Sequence, residues 1–411
     1  MRSPVPDYLE EVLDGLREDR AGAVADYIPE LAAAEPDQLG IALTTALGRT
    51  YAAGDADVEF TIQSISKPFA YAAALMDRGA GTVLSAVGVE PSGEAFNELS
   101  LEQDTRRPKN PMINAGALTV HSLLVGEDAD PAARVERVRE LFSRLAGREL
   151  RIDEAVCASE LETAHRNLAL AHMLRSYGIL TGDVPTVVEG YTRQCSLLVT
   201  VRDLSAMAAT LATGGIQPVT GEQVLDAATA RQVMAVMASA GMYDGAGDWL
   251  VRVGIPAKSG VAGGMVGVLP DLVGIGTFSP RLDRQGNSRR GGRLFERLSQ
   301  DMDMHLFSPN GSRQDAARAS TAEGTTSVAL EGVVQLTAAS EMLDLLEDSD
   351  PATDVLLDLE RVHSVTDLGR RMLLEGLRRI RLDGRGVTLR DPRGTLPDPD
   401  LGDGTFPDVA E

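Results

Sequence analysis

Two short patterns, each built around a lysine, constrain the fold of this chain more than any other feature. Ser64 and Lys67 stand three residues apart at the start of a stretch whose apolar residues recur with helical spacing. Lys258, Ser259 and Gly260 open a run of small and apolar residues that is typical of a strand approached closely by other backbone. Together the patterns predict an α+β fold in which a helix start meets a strand. The alternative is an ordinary surface helix and a glycine-rich turn.

Lysine is scarce in this chain, so we expect the few lysines to stand where arginine could not replace them. The chain has 39 lysines and arginines, and only Lys67, Lys109 and Lys258 are lysines. Arginine stays protonated near neutral pH, whereas a buried lysine can lose its proton. Lys67 beside Ser64 therefore predicts a serine nucleophile that is activated by an amine, and this chemistry requires the pKa of Lys67 to fall to about 7.

The distribution of polar and apolar residues predicts two folded parts. Residues 1–308 alternate amphipathic helical stretches with short apolar strands. Residues 309–326 are small and polar without periodicity, which is typical of a linker. Residues 327–393 alternate strands and helices and predict a small α/β domain. Residues 394–411 are rich in proline, aspartate and glycine, and we expect them to be disordered.

The acidic charge of the chain excludes several classes of partner. The formal net charge is −22, so we expect no nucleic-acid binding and no attraction to anionic membranes. The first residues lack the apolar region of a secretion signal, and no apolar run reaches the length of a membrane span. Two cysteines, Cys157 and Cys195, make no disulfide framework. We therefore expect a soluble cytoplasmic protein.

No pattern in the chain predicts a metal or an organic cofactor. His165 and His172 lie seven residues apart on one predicted helix. Two imidazoles without carboxylate or cysteine partners make a poor metal site, so we expect packed histidines. The glycines after Lys258 do not follow the order of a phosphate-binding loop. Cys195 is expected to be a small buried residue rather than a nucleophile.

Longer blocks of sequence carry a resemblance to a known family. An S-x-x-K pattern with a distant K-[ST]-G pattern is the pairing of serine β-lactamases and penicillin-binding proteins. The surrounding blocks resemble the serine-dependent glutaminases, and they are SISKPF, NPMINAGA, SEL, HRNLALA, GYTRQCS, GMYDGAGDW and KSGVAGG. The resemblance runs from residue 24 to residue 307. It implies a β-lactamase/transpeptidase-like fold, in which helices flank an antiparallel sheet and a helical subdomain is added.

The resemblance implies roles in the hydrolysis of L-glutamine to L-glutamate and ammonia. Ser64 would attack the side-chain amide and Lys67 would remove the serine proton as general base. Tyr243 would relay a proton to the departing ammonia, with Tyr27 in the same network. The backbone N–H groups of Ser64 and Val261 would form the oxyanion hole. The residues implied to hold the substrate ammonium and carboxylate are Asn114, Glu160, Asn167 and Tyr191. Family members are commonly homodimers or homotetramers, which implies the same here.

The residue types at these positions fit the implied roles. A free α-ammonium needs a carboxylate, and Glu160 is the acidic candidate within the matched blocks that is spaced for this role. Glu160 and Asn167 are seven residues apart, which predicts that they share one face of a single helix. Lys258 is expected to place a cation beside Ser64, which would favour an anionic substrate and lower the pKa of Lys67.

Residues 327–393 resemble a STAS domain, the fold of anti-sigma-factor antagonists. The blocks that carry this resemblance are LEGVVQLTAA, VLLDLERVHSVTDLGRRMLLEGL and GVTLRDP. Such antagonists carry a phosphorylated serine at the start of their second long helix, and this chain has Asp367 at that position. The resemblance implies a protein partner that is bound constitutively, without serine phosphorylation. The alternative is a scaffold or oligomerisation module.

Two other functions remain open from the residues alone. A β-lactamase or peptidase of the same fold would act on cell-wall substrates, which the absence of a recognisable export signal disfavours. A catalytically inactive binding protein would act through the STAS-like module. It is disfavoured because every catalytic position that can be placed holds the expected type of residue.

Overall fold

The computed structural model describes residues 4–94, 98–126, 128–302, 304–308, 317–322 and 324–410. The chain forms two compact units, one of Val12–Glu296 and one of Met1–Glu11 with Arg297–Glu411. The helices are α1 Val5–Asp14, α2 Pro29–Ala32, α3 Ser66–Ala86, α4 Asn114–Leu123, α5 Pro131–Ala146, α6 Glu154–Glu162, α7 His165–Ser176, α8 Val184–Cys195, α9 Val201–Ala212, α10 Ala227–Ala240, α11 Ala246–Arg252, α12 Arg289–Met302, α13 Leu336–Glu347 and α14 Asp367–Leu382. None of these helices is both long and apolar enough to cross a bilayer.

Strands form one large sheet in each unit. The strands are β1 Gly40–Thr45, β2 Thr50–Gly54, β3 Phe60–Thr61, β4 Leu198–Val199, β5 Ala257–Ser259, β6 Gly264–Leu269, β7 Val273–Phe278, β8 Ala317–Ala322, β9 Thr325–Val334, β10 Asp354–Val365, β11 Val387–Arg390 and β12 Asp408–Val409. The sheet of the larger unit has the order β2-β1-β7-β6-β5, and every neighbouring pair is antiparallel. This confirms the predicted antiparallel sheet with helices.

Glycines let helices pack directly on the central strands of this sheet. A Cβ on Gly274 would lie 2.1 Å from the backbone nitrogen of Ala209 in α9, and one on Gly276 would lie 2.3 Å from the carbonyl oxygen of Val201. A Cβ on Gly267 would lie 2.2 Å from the ring of Phe295 in α12. Strands β6 and β7 are therefore buried along their whole length.

The first turn of α3 is fixed by neighbouring strands. Strands β3 and β4 pair just before it, and the N–H of Ile62 donates to the carbonyl oxygen of Leu197 at 2.8 Å. A Cβ on Gly260 would lie 3.1 Å from the carbonyl oxygen of Ile62, so the strand that carries Lys258 runs close to this turn. Ser64 lies in a short 3₁₀ turn that leads directly into α3. The helix start and the strand are thus adjacent, as the two lysine patterns predict.

The smaller unit has a mixed sheet in the order β12-β11-β10-β9-β8. Strands β9, β10, β11 and β12 form parallel pairs, and β8 is antiparallel to β9. Helix α13 lies in sequence between β9 and β10, and α14 between β10 and β11. This alternation is the one predicted for residues 327–393.

Two segments at the borders of this unit are more ordered than the sequence predicts. Within the expected linker 309–326, residues Ala317–Ala322 form the edge strand β8, while 309–316 lie outside the described residues. The expected disordered tail 394–411 contributes β12, and a guanidinium nitrogen of Arg381 donates to the carbonyl oxygen of Phe406 at 2.7 Å. Both predictions rested on composition, which does not register backbone pairing with a neighbouring sheet edge.

Candidate active site

Ser64 lies between two residues with strained backbone. Gln63, its direct neighbour, has a φ of 50°, and Tyr243 has a φ of 55°. Left-handed backbone is uncommon for residues other than glycine and persists only when surrounding contacts enforce it. The Ser64 hydroxyl is hydrogen-bonded to that of Tyr243. The residue before the candidate nucleophile and the tyrosine that bonds to its hydroxyl are thus both held in place by their surroundings.

Lys67 is a buried amine one turn further along α3. Its exposed fraction is 1%, and Nζ donates to Oδ1 of Asn114 at 2.6 Å. Burial lowers the pKa of Lys67 to about 7, because a charged amine loses its hydration there. Among the described residues Lys67 has no carboxylate partner that would hold its charge. The amine therefore has the pKa that the S-x-x-K pattern requires of a base.

Lys258 does not behave as the cation that the sequence predicts. It is fully buried, and Nζ donates to the Tyr243 hydroxyl at 2.6 Å and to the carbonyl oxygen of Ser259 at 2.7 Å. Burial, followed by the charge of Lys67, lowers its pKa well below the ordinary range. Two buried amines without a carboxylate do not both stay charged. Burial, not Lys258, lowers the pKa of Lys67, and Lys258 acts on the hydroxyl of Tyr243.

The Tyr243 ring lies between the two amines. Its centroid is 4.0 Å from Nζ of Lys258 and 5.7 Å from Nζ of Lys67. Burial raises the pKa of the Tyr243 hydroxyl, which the bond with Ser64 opposes. A neutral phenol in this place can donate one proton and accept another. Ser64, Lys67, Tyr243 and Lys258 therefore form one connected group.

Glu160 forms a second group at the same turn. Its Oε1 accepts hydrogen bonds from the Tyr27 hydroxyl at 2.7 Å and from Nε2 of Gln63 at 3.1 Å. Burial raises the pKa of Glu160, and these two bonds oppose the rise. The Gln63 contact links Glu160 to the residue before Ser64. A carboxylate with no ion-pair partner among the described residues can take a cation from a ligand.

Asn167 joins the two groups, although not through the single helix that the sequence predicts. Helix α6 ends at Glu162 and α7 begins at His165, so Glu160 and Asn167 stand on consecutive helices. The prediction of one shared helical face is wrong, because heptad spacing does not reveal a break. Oδ1 of Asn167 accepts from Nδ2 of Asn114 at 3.2 Å, and Asn114 also accepts from Lys67.

Tyr191 and Val261 complete the set of predicted site residues. Tyr191 is buried on α8, and burial raises the pKa of its hydroxyl, which is hydrogen-bonded to the thiol of Cys195. Cys195 is buried as predicted, and burial raises its pKa to about 11, so the thiol is neutral at physiological pH. Val261 follows Gly260 in the segment that runs against the start of α3.

The two histidines singled out in the sequence are not packed. His165 and His172 both lie on α7 with exposed side chains, so the prediction of buried histidines is wrong. The described residues contain no group of three or more His, Cys, Asp or Glu side chains suited to a metal ion. The helix turns its apolar side inward through Leu170, Ala171 and Leu174 instead.

Sequence reasoning missed a buried polar network that begins at Ser66, two residues after the candidate nucleophile. The Ser66 hydroxyl accepts from Nε2 of Gln194 at 3.0 Å, and Oε1 of Gln194 is 3.1 Å from Nδ1 of His121. All three side chains are buried, and burial lowers the pKa of His121 to about 4. Gln63 was also missed, since nothing in its residue type reveals a positive φ or a contact with Glu160.

Comparison with known proteins identifies one family. The family model described as Glutaminase matches residues 22–307. A curated glutaminase of Corynebacterium efficiens is 53% identical over 404 residues, which cover 98% of this chain and 96% of the relative. The crystal structure of Mglu has a TM-score of 0.75 at 52% identity and covers 96% of this chain and 99% of its own. A probable glutaminase from Bacillus subtilis, complexed with 6-diazo-5-oxo-L-norleucine, has a TM-score of 0.68 at 37% identity and covers 75% of this chain and 98% of its own. This chain therefore belongs to the glutaminase family, and it is an amidohydrolase that acts on the side-chain amide of L-glutamine.

Proposed function

We propose that this glutaminase hydrolyses L-glutamine through a covalent intermediate on Ser64, with Lys67 as the general base. The observation that carries the proposal is the buried amine of Lys67, whose pKa is about 7. A base with that pKa is about half deprotonated at neutral pH and can accept a proton there. A lysine with the ordinary pKa of about 10.4 would be almost entirely protonated there.

In the proposed acylation step, Oγ of Ser64 bonds to the side-chain carbonyl carbon of glutamine while its proton passes to Nζ of Lys67. The backbone N–H groups of Ser64 and Val261 hold the resulting oxyanion. The carbon–nitrogen bond then breaks, and the nitrogen leaves as ammonia after it receives a proton through the Tyr243 hydroxyl. The bond from Lys258 supports this role, because it keeps that hydroxyl next to Ser64.

Water completes the proposed cycle. It adds to the carbonyl carbon of the γ-glutamyl ester and gives a proton to the amine of Lys67, which is neutral again once the ammonia has left. The ester bond breaks, the proton returns to Oγ of Ser64, and L-glutamate is released. No step requires a metal or an organic cofactor, since the Lys67 amine and the Tyr243 phenol move every proton.

We propose that Glu160 binds the α-ammonium of glutamine. Its carboxylate is oriented by Tyr27 and Gln63, which leaves one oxygen for a ligand. Asn114, Asn167 and Tyr191 are proposed to hold the substrate carboxylate. A binding site for a small zwitterion needs such a division of charges, since each end of the substrate must be matched separately.

Replacement of Glu160 by glutamine is expected to raise the KM for L-glutamine roughly ten- to hundredfold, because a charge-assisted hydrogen bond contributes about 1.5–3 kcal/mol. The value of kcat is expected to change much less, since the interaction is the same in the ground state and the transition state. Steady-state kinetics of ammonia release measures both constants. Glu162→Gln is a matched control, because Glu162 is exposed on the same helix. An unchanged KM in Glu160→Gln would refute this role.

The proposed substrate is tested by ammonia release from L-glutamine, L-asparagine and D-glutamine with the purified full chain. L-glutamine is expected to be the best substrate. The shorter side chain of L-asparagine does not bring its amide to Ser64 while the α-ammonium and the α-carboxylate stay bound. Comparable rates with L-asparagine would contradict the proposed positions of Glu160 and Asn167. We also propose a homodimer or homotetramer, which light scattering measures.

We further propose that the smaller unit is a STAS-like domain that docks a protein partner without serine phosphorylation. Its parallel strands with α13 and α14 between them support the likeness. Asp367 is exposed in the first turn of α14, where its charge is favoured by the helix dipole. The Thr366 hydroxyl already accepts from the N–H of Gly369 at 3.1 Å and donates to the carbonyl oxygen of Val334 at 3.3 Å.

Protein purified from its native cells is expected to carry no stoichiometric phosphate on Ser364 or Thr366. A phosphate on Thr366 would remove the hydroxyl that donates to Val334 and would disturb the cap of α14, because the cap depends on that side chain. Phosphopeptide mapping by mass spectrometry measures the occupancy of both sites. Full occupancy at either residue, with a change in activity or partner binding after phosphatase treatment, would overturn constitutive docking.

A further inference from the structure

Glu30 lies beside the Glu160 group and has no part in the reaction proposed above. It stands on α2, and its Oε1 accepts a hydrogen bond from the hydroxyl of Ser159 at 2.9 Å. Its other oxygen, Oε2, is buried and has no hydrogen-bond partner among the described residues. A buried carboxylate oxygen without a donor is costly unless a cation comes near it. The position of Glu30 therefore indicates that this residue does more than anchor α2.

The surroundings of the two carboxylates contain no cation that would neutralise them. In the described part of the chain, neither Glu30 nor Glu160 has an ion-pair partner. The charge of Glu30 acts on Glu160 and raises its pKa, after burial, which is the main cause. The other titratable groups near Glu160 are the hydroxyls of Tyr27 and Tyr191 and the thiol of Cys195. Burial raises the pKa of each of these three groups, so they add no positive charge.

We propose that Glu30 is a specificity-determining residue that makes this glutaminase select substrates with a free α-ammonium. The proposal rests on the role of Glu160 as the ammonium ligand. Two carboxylates without a counterion repel each other in the free enzyme, and a bound ammonium relieves that repulsion. A substrate whose α-nitrogen is missing or acylated does not relieve it. Glu30 thus favours the cation without touching the reacting amide.

Two substitutions separate the charge of Glu30 from its hydrogen bond. Glu30→Gln keeps a carbonyl oxygen that can accept from Ser159 and removes only the charge. Ser159→Ala removes the hydrogen bond and keeps the charge. A residue that served only to anchor α2 on α6 would respond to Ser159→Ala at least as strongly as to Glu30→Gln.

The measurement compares L-glutamine with glutaramate, which is glutamine without its α-amino group. In Glu30→Gln the KM for L-glutamine is expected to rise roughly fivefold, since a nearby charge in a partly buried site is lost. The constant for competitive inhibition by glutaramate is expected to stay the same or to fall. Neither constant is expected to change in Ser159→Ala. Glu30→Asp, which keeps the charge, is expected to retain most of the selectivity.

Three outcomes would overturn the inference. These are an unchanged KM in Glu30→Gln, an equal rise in both constants, and a loss of selectivity in Ser159→Ala that matches the one in Glu30→Gln. Failure of the underlying site assignment has a different signature, because the KM would then be unchanged in Glu160→Gln as well. If Glu30→Gln does not fold, as judged by its thermal melting, the Glu30→Asp and Ser159→Ala variants still decide between charge and anchor.

Discussion

Replacement of Ser64 by alanine is expected to lower kcat for L-glutamine by about 10⁴-fold or more, because the proposed covalent intermediate cannot form without Oγ. The fold is expected to survive, since the partly exposed hydroxyl contributes one hydrogen bond, to Tyr243. Ammonia release measures the activity, and circular dichroism with thermal melting checks the fold. The reactive analogue 6-diazo-5-oxo-L-norleucine, which the Bacillus subtilis relative was solved with, offers a second measurement.

Mass spectrometry after treatment with that analogue is expected to place one adduct on Ser64 in the original chain and none on that peptide in Ser64→Ala. Ser92→Ala is a suitable control, because it removes a buried hydroxyl that, among the described residues, hydrogen-bonds to the backbone of Glu94 in its own loop. Full activity in Ser64→Ala, or an adduct on another residue that persists in this variant, would rule out Ser64 as the nucleophile.

Replacement of Lys67 by arginine is expected to lower kcat by about 10²- to 10⁴-fold, although the positive charge is kept. A guanidinium does not lose its proton at neutral pH and cannot serve as the base. It is also too large for the buried space in which the Lys67 amine contacts Asn114. Arg137→Lys, an exchange of the same type on α5, is the matched control, since it keeps a half-buried ion pair with Asp77. A loss of less than tenfold in Lys67→Arg would leave Lys67 a purely electrostatic role.

The pH dependence of the original chain tests the same role without a substitution. A base is active when it is deprotonated, so kcat is expected to rise with pH through a pKa of about 7 and to level off above it. Asn114→Asp places a carboxylate next to Nζ of Lys67, which favours the charged amine and moves this rise to higher pH. A base with a pKa of about 7 changes its protonation state between about pH 6 and pH 8. A kcat that stays constant over that range of about two pH units would contradict general-base catalysis by Lys67.

The sequence predicted the parts of the site that depend on residue type and local spacing. Lys67 follows Ser64 by one turn, and apolar periodicity predicted the helix that starts there, although not the short 3₁₀ turn that holds Ser64. The prediction that Lys67 can lose its proton followed from the scarcity of lysine, and the burial of Lys67 lowers its pKa in the direction that this prediction requires. The strand that carries Lys258 followed from its small residues, which mark close backbone approach.

The features of the site and fold that depend on tertiary contacts could not be predicted from the sequence. The break between α6 and α7 leaves no trace in the spacing of Glu160 and Asn167, so a single helix was inferred. The charge state of Lys258 depends on total burial beside a second amine, which its neighbours in sequence do not reveal. The described tail pairs with β11, and such pairing depends on a distant strand edge rather than on composition.

The left-handed backbone of Gln63 and Tyr243 makes the surroundings of Ser64 sensitive to local opening. Gln63 keeps its strained backbone because Thr61 and Glu160 accept from its amide, and Tyr243 keeps its own because Lys258 and Ser64 hold its hydroxyl. Each contact comes from a different segment, so a small local opening in any of them lets the backbone return to an ordinary conformation. Under heat or denaturant, we therefore expect activity to be lost while the sheet of the larger unit is still intact.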